Sequence, residues 1–166
     1  MVRYTTESLE ALRRAETTLR FKEFDLACAR RLGDMLFKRG QLQIRPVACR
    51  IILNDLLVYQ SFMPGTNANN NWWMDRKCRT VLRTRGSSLR ALVERELNGA
   101  ILPWQKDEDT YAFCGGGFPL YVKDEFSGVI CVSGLPHLQD HRFVTEVIAD
   151  YLNKPYILIP VSEDQA

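Results

Sequence analysis

The segment CGGGFPLYVKDEFSGVICVSG, residues 114–134, sets three consecutive glycines directly before two β-prone apolar runs. Phe118–Val122 and Val129–Ser133 read as strands, with Asp124–Gly128 as the turn between them. Strands joined by so short a connection pair antiparallel. Val129-Ile130-Cys131-Val132 is apolar without interruption, so this strand is expected to be covered on both faces. Glycine loses more conformational freedom on folding than any other residue, so Gly115-Gly116-Gly117 calls for a physical reason. A phosphate cradle is excluded by context, since Phe118-Pro119 and a strand follow where a P-loop or dinucleotide fingerprint needs a helix. Two readings stay open. The run is either a β-bulge, or a wall where backbone meets backbone or a flat ligand at close range.

A second hairpin is written at Val47–Leu53 and Leu56–Phe62, with Asn54-Asp55 as its tight turn. Helices are expected over Thr5–Glu16, over Phe24–Arg39 with Gly40 as C-cap, and over Trp72–Arg83. A further helix runs from a Ser87 or Ser88 cap to Leu97 and ends at Asn98-Gly99, and a last one starts near Pro136 and is stopped by Pro155. Pro64–Asn71 reads as a loop, Thr17–Phe21 and Tyr156–Val161 as short extended pieces, and Ile101–Asp109 as a surface connection. Antiparallel strands interleaved with helices define an α+β layer fold. Residues 1–166 are expected to form one unit, with 1–18 and 154–166 as extensions.

Composition narrows the function. With 22 basic and 20 acidic residues the net charge is +2, so no strongly basic surface argues for nucleic acid. No stacking aromatics alternate with the basic residues along an exposed strand either. The apolar runs fall short of the roughly 20 residues that span a bilayer, and Met1–Lys22 lacks the pattern of a secretory leader. Cys28, Cys49, Cys78, Cys114 and Cys131 are odd in number and include no C-x-x-C spacing, which fits reduced thiols and a cytoplasmic setting.

Two blocks then carry a resemblance. Gly115-Gly116-Gly117-Phe118-Pro119, Val132-Ser133-Gly134-Leu135-Pro136 and Asp140-His141 form one. Pro64-Gly65-Thr66, Asn70, Trp73, Arg76-Lys77, Val81, Arg83 and Ser87-Ser88 form the other. Together they resemble the haem-degrading domain family, related to GlcG, HbpS and the C-terminal domain of PduO-type proteins, in its branch of uncharacterised proteins. The similarity spans roughly Leu19 to Leu152. It implies a profilin-like fold with a five-stranded antiparallel sheet between helical layers, and homo-oligomers of two or more subunits. Haem is among the cofactors of some relatives. The branch pattern has His where this chain has Gly86 and Cys114, and Asp where it has Asn69. Glycine can neither coordinate iron nor accept a proton, as imidazole does.

The resemblance and the basic helix together nominate Asn70, Trp73, Arg76, Lys77, Ser87, Ser88, Gly115, Gly116 and Gly117 as ligand-binding residues. A helix start rich in amides, followed by Arg76, Arg79 and Arg83 on one face, favours a small anion such as a carboxylate, phosphate or haem propionate. His141 and Cys114 are the candidates for a catalytic or metal-ligating group. Against this, Asp140 reads as a helix-dipole residue, His141 as a surface or interface residue, His137 as ordinary surface, and Cys114 as a small buried hydrophobe. One of the adjacent Trp72 and Trp73 is expected in the core. The expected function is an oligomeric small-ligand or cofactor-binding protein, with haem or another anion bound. The alternatives are an assembly protein with a degenerate pocket and, last because no acid–base pair can be assigned, a small oxidoreductase or haem-degrading enzyme.

Overall fold

The computed structural model describes residues 1–163; residues 164–166 of the expected C-terminal extension lie outside the described residues. The chain runs β1 (Val2–Arg3), α1 (Thr6–Thr18), α2 (Leu26–Gly40), β2 (Ala48–Leu53), β3 (Leu56–Phe62), α3 (Ala68–Thr84) and α4 (Ser88–Asn98). A 3-10 turn at Pro103–Lys106 leads to β4 (Gly117–Val122), β5 (Glu125–Ser133), α5 (His137–Leu152) and β6 (Ser162–Glu163). The fold is α+β: five helices around a four-stranded antiparallel sheet of order β3-β2-β5-β4.

Both hairpins turn on two residues in left-handed backbone, Asn54-Asp55 (φ 49° and 63°) and Lys123-Asp124 (φ 50° and 66°). That conformation matches the right-handed strand twist. The second turn is therefore tighter than Asp124–Gly128, and Glu125–Gly128 belongs to β5. The bulge sits within this hairpin rather than at the triple glycine: Leu120 pairs with Gly128 and Tyr121 with Phe126, so Ser127 is extra. Gly128 is fixed by the neighbouring strand, since a Cβ there would lie 1.8 Å from the Ile52 carbonyl oxygen.

Alternation along β5 explains its unbroken apolar run. Ile130 and Val132 pack with Cys49, Ile51, Phe118 and Leu120 beneath α2 and α5. Val129 and Cys131 face Met74, Cys78 and Val81 of α3 on the other side. Burying each such aliphatic chain contributes about 1.5–3 kcal/mol. A third cluster joins α1 to α4 through Leu12, Leu89 and Val93. At this seam Glu16 accepts the Ser87 N–H and an Arg90 N–H, and burial lifts its carboxyl to about 7.

Three boundaries differ from expectation for local reasons. Asn67 accepts from the Asn69 N–H, and its own N–H donates to Asn70 Oδ1, so α3 begins at Ala68 inside the expected loop. Gly40 is the last helical residue, and Gln41 after it keeps right-handed backbone, so no glycine cap forms. The fifth strand is reduced to one parallel bridge, Phe21 to Val122. Between Leu19, which ends α1, and Asp25, which caps α2, Phe21 alone reaches the sheet: its N–H donates to the Tyr121 carbonyl and its carbonyl accepts the Lys123 N–H, both at 2.9 Å. Among the described residues Tyr156–Val161 adds to no edge of the main sheet, and the C-terminal segment pairs at Ser162–Glu163, with β1. Among the described residues no helix is long and apolar enough to cross a membrane.

Candidate functional site

The first turn of α3, the end of β5 and the first turn of α5 converge on a cavity of about 350 Å³. Asn69, Asn70, Trp73 and Lys77 line it from α3, Ser133, Gly134 and Leu135 from the β5–α5 connection, and His137 and Asp140 from α5. Cys114 closes the remaining side. The positive ends of two helices thus point at one space, which favours an anion there. Asn70 is held in place twice: its Oδ1 accepts from Asn67, and its Nδ2 donates to the Ser133 carbonyl at 3.2 Å.

Lys77 forms the floor. Its Nζ donates to Asp140 Oδ2 at 2.9 Å and to the Val132 carbonyl at 3.0 Å, and both side chains are buried. Asp140 Oδ1 accepts the Leu135 N–H at 3.0 Å. Asp140 therefore locks α5 to α3 and to the β5 exit, and does not orient His141. Burial alone pushes the Lys77 ammonium down, but the Asp140 carboxylate and the sulfurs of Cys114 and Cys131 outweigh it and hold the pKa above its ordinary value. Burial raises the Cys114 thiol, with Lys77 pulling the other way; a thiol so placed is held protonated rather than as a nucleophilic thiolate. All five cysteines are free.

The three glycines lie behind the cavity, not on its wall. A Cβ on Gly115 would sit 2.1 Å from the His137 carbonyl oxygen. One on Gly116 (φ 130°) would sit 2.5 Å from the Val132 oxygen and 2.7 Å from Lys77 Nζ, and one on Gly117 2.8 Å from Val81 Cγ2. The run lets the strand entrance slot between α3 and α5, which is the close-approach reading with helices as the neighbours. Ser88 completes the slot by accepting the Gly117 N–H at 2.9 Å, and Ser87 caps α4; neither lines the cavity.

Arg76 also lies off the cavity. Its guanidinium stacks over Trp72 (4.1 Å) and Trp73 (4.6 Å) and donates to the Glu108 and Tyr111 carbonyls. Neither tryptophan is core: Trp73 lines the cavity and Trp72 is 45% exposed. Arg83 lies over Trp104 and Tyr111, and Arg95 over Phe113. Basic and aromatic residues therefore do interleave in space, although not along the sequence. Several of these rings are already taken by the protein's own guanidinium groups.

Neither histidine sits where it was expected: His137 is not ordinary surface, and His141 is neither in the cavity nor at the surface. His137 faces the cavity, and its Nδ1 accepts the Gly115 N–H at 3.2 Å, which leaves Nε2 as the protonated nitrogen. His141 is buried beside Phe118, and neither ring nitrogen has a partner among the described residues. Burial, aided by nearby His137, lowers its pKa from 6.5 to about 4. A neutral folded imidazole and a protonating unfolded one make stability full above about pH 6.5 and lost as pH falls toward 4. Glu16 slopes the opposite way, because its raised carboxyl lets stability fall as pH rises from 4.5 to about 7. Comparing a His141→Leu variant with the parent at each pH separates the two. Urea unfolding should show the variant gaining about 2 kcal/mol relative to the parent between pH 7 and pH 5. A constant difference across that range would mean that His141 finds a partner in solution.

Sequence reasoning passed over Ser133, Gly134, Leu135, His137, Asp140 and Asn69 as lining residues. Three of them lie in the V-S-G-L-P stretch, and His137 and Asp140 lie in the helix start that it runs into.

Residues 24–149 match the family described as haem degrading protein HbpS-like. The chain is 34% identical over 149 residues to a UPF0303 protein of Mesorhizobium japonicum, covering 88% of this chain and 89% of that protein. Among solved structures it is similar to the Ybr137w protein, with a TM-score of 0.78, 25% identity and 87% of each chain covered. A complex described as PduOC:Heme shares the fold, with a TM-score of 0.66, 19% identity and coverage of 76% of this chain and 93% of that one.

Proposed function

The chain belongs to the HbpS-like haem-degrading family, in its UPF0303 branch, and from that premise we propose that it is an oligomeric protein that binds a compact anion between α3 and α5. The observation that carries this reading is the convergence of two helix N-termini on the Lys77 floor of one cavity. Lys77 is already matched by Asp140, so a ligand meets a nearly neutral floor with oriented donors around it: the Asn69 and Asn70 amides and the His137 Nε2–H. That set suits a small carboxylate or phosphate held by hydrogen bonds, with Trp73 and Leu135 against its apolar part. Assembly is supported by β3, an edge strand that exposes Leu56, Leu57 and Phe62.

Haem is the second reading, favoured by the fold shared with the PduOC:Heme complex. The lining does not fit it well. A macrocycle needs apolar cover on both faces, and only Trp73 and Leu135 supply apolar side chains of any size here. Cys114 and His137 are the axial donors that the cavity offers; His141 is enclosed away from it. No chemical step is assigned to haem on this site.

Calorimetric titration with acetate, oxalate and inorganic phosphate, alongside haemin followed by its Soret band, tests both readings. The expected result is saturable binding of one of the small anions, weakened at least about tenfold in Trp73→Ala, with no sharpened Soret band. A sharpened, stoichiometric Soret band lost in Cys114→Ser or His137→Ala would replace the small-anion reading with haem. Light scattering on the same samples reads the subunit number, and a monomer mass would remove the oligomer from the proposal.

A further inference from the structure

We propose a second anion site, for a phosphate-bearing small molecule, in the cavity between the α1–α2 linker and the C-terminal end of α5. This cavity holds about 380 Å³ and shares no lining residue with the first. Arg20, Lys22, Arg31 and Lys154 border it, with Glu23 as its one carboxylate. Asp124 pairs with Arg20 at 3.0 Å from outside. Among the lining residues Lys22, Arg31 and Lys154 then stand against Glu23, an excess of two positive charges, with Asp25 outside the lining also within electrostatic reach of Arg31.

Two adjoining pockets are not built this way. The next one along α2 sets Arg31 and Lys38 against Asp34 and Asp150. The one beyond Glu23 sets Glu23, Asp25 and Glu125 against Lys123. Neither of these two neighbours carries the excess, although the first shares Arg31 with it and the second shares Glu23.

Donors remain free for a ligand. Among the described residues Lys22 has neither a hydrogen bond nor an ion pair. Arg31 engages a single nitrogen, Nη2, in two long contacts of 3.4 Å with Cys28 Sγ and Tyr151 Oη. Lys154 Nζ reaches the Thr18 carbonyl at 2.5 Å and keeps two further N–H groups. The Tyr151 hydroxyl is raised by burial and stays protonated, and its ring meets Phe21 edge-on at 5.6 Å, giving the pocket a firm apolar side. The cations come from three separate segments and so surround a centre. That geometry matches the several oxygens of a tetrahedral dianion better than the two of a planar carboxylate.

The test is a heteronuclear NMR titration of the full chain with inorganic phosphate and with pyrophosphate, using sodium chloride at matched ionic strength as control. Saturable shifts are expected at Phe21–Glu23, Arg31 and Tyr151–Lys154, with pyrophosphate the tighter. Arg31→Ala and Lys22→Ala should each weaken the binding read at these residues about tenfold, while Trp73→Ala weakens binding in the first cavity and leaves the shifts at Phe21–Glu23, Arg31 and Tyr151–Lys154 as they are. Both substituted side chains are on the surface, and the variant spectra report whether the fold is kept. Shifts that chloride reproduces, shifts confined to Asn69–Trp73 and Cys114, or undiminished binding in Arg31→Ala would each overturn the site. The last two outcomes leave the first cavity's reading standing, so the two proposals fail separately.

Discussion

Gly115→Ala is expected to destabilise the protein by about 3 kcal/mol or more. The added methyl would lie 2.1 Å from the His137 carbonyl oxygen and 2.8 Å from His141 Cβ. Neither is the far end of a flexible side chain: one is backbone of the first turn of α5, the other the stem of a buried ring. The turn cannot retreat cheaply, because the Gln139 and Asp140 N–H groups both bond the Pro136 carbonyl and Asp140 is tied to Lys77. The strand entrance cannot retreat either, with the Gly117 N–H on Ser88 and the Val132 N–H on the Gly116 carbonyl. Gly99→Ala is the control. Among the described residues nothing lies within 4 Å of its Cβ, so only left-handed backbone strain is added (φ 67°), about 1 kcal/mol. Urea midpoints at constant slope measure both. A Gly115→Ala loss no larger than that of Gly99→Ala would show that the slot between α3 and α5 is slack. The same variant should lose ligand affinity in the first cavity, since His137 is the residue displaced.

Local chemistry made much of this fold legible in advance. The hairpin at Asn54-Asp55, the Ser87 cap, the Gly99 stop and the doubly covered β5 all follow from residues within a few positions of one another. The α3 start was hidden because four nearby asparagines look like loop, although one of them is the cap and another its reciprocal partner. The fifth strand failed because Asp25 claims the chain for a helix before Phe21 can extend its pairing. Within the site, Asn70, Trp73, Lys77 and Cys114 were nominated and meet at one cavity. Arg76, Ser87 and Ser88 were nominated with them and do other work: stacking on tryptophans, capping α4 and fixing Gly117. The sequence offered no means of separating these groups. Lys77 and Arg76 are neighbours in the chain but about 100° apart on the helix, and only the packing of α5 decides which of them meets a carboxylate.

That carboxylate makes Lys77 the second residue whose replacement should be severe. Lys77→Met is expected to cost about 3–5 kcal/mol at pH 7, because it strands Asp140 in the interior. The methionine fills the stem's volume, so the loss reports charge rather than a cavity. Asp140 would keep the Leu135 N–H and lose its counter-ion. Its carboxyl, without the cation that now favours ionisation, would rise further above the 3.8 of the unfolded chain. Stability contributed by a raised carboxyl is full below the unfolded pKa and declines as pH rises through the folded one, so the variant should recover on acidification. Lys77→Met/Asp140→Leu removes both charges and should regain most of the loss at pH 7, leaving a residual for the Val132 carbonyl without its donor and the Leu135 N–H without its acceptor. A double variant as unstable as the single one would instead make packing the cause. Ligand binding then separates stability from function: a repaired double variant that folds but has lost its anion would show that the pair serves the cavity beyond holding α3 against α5.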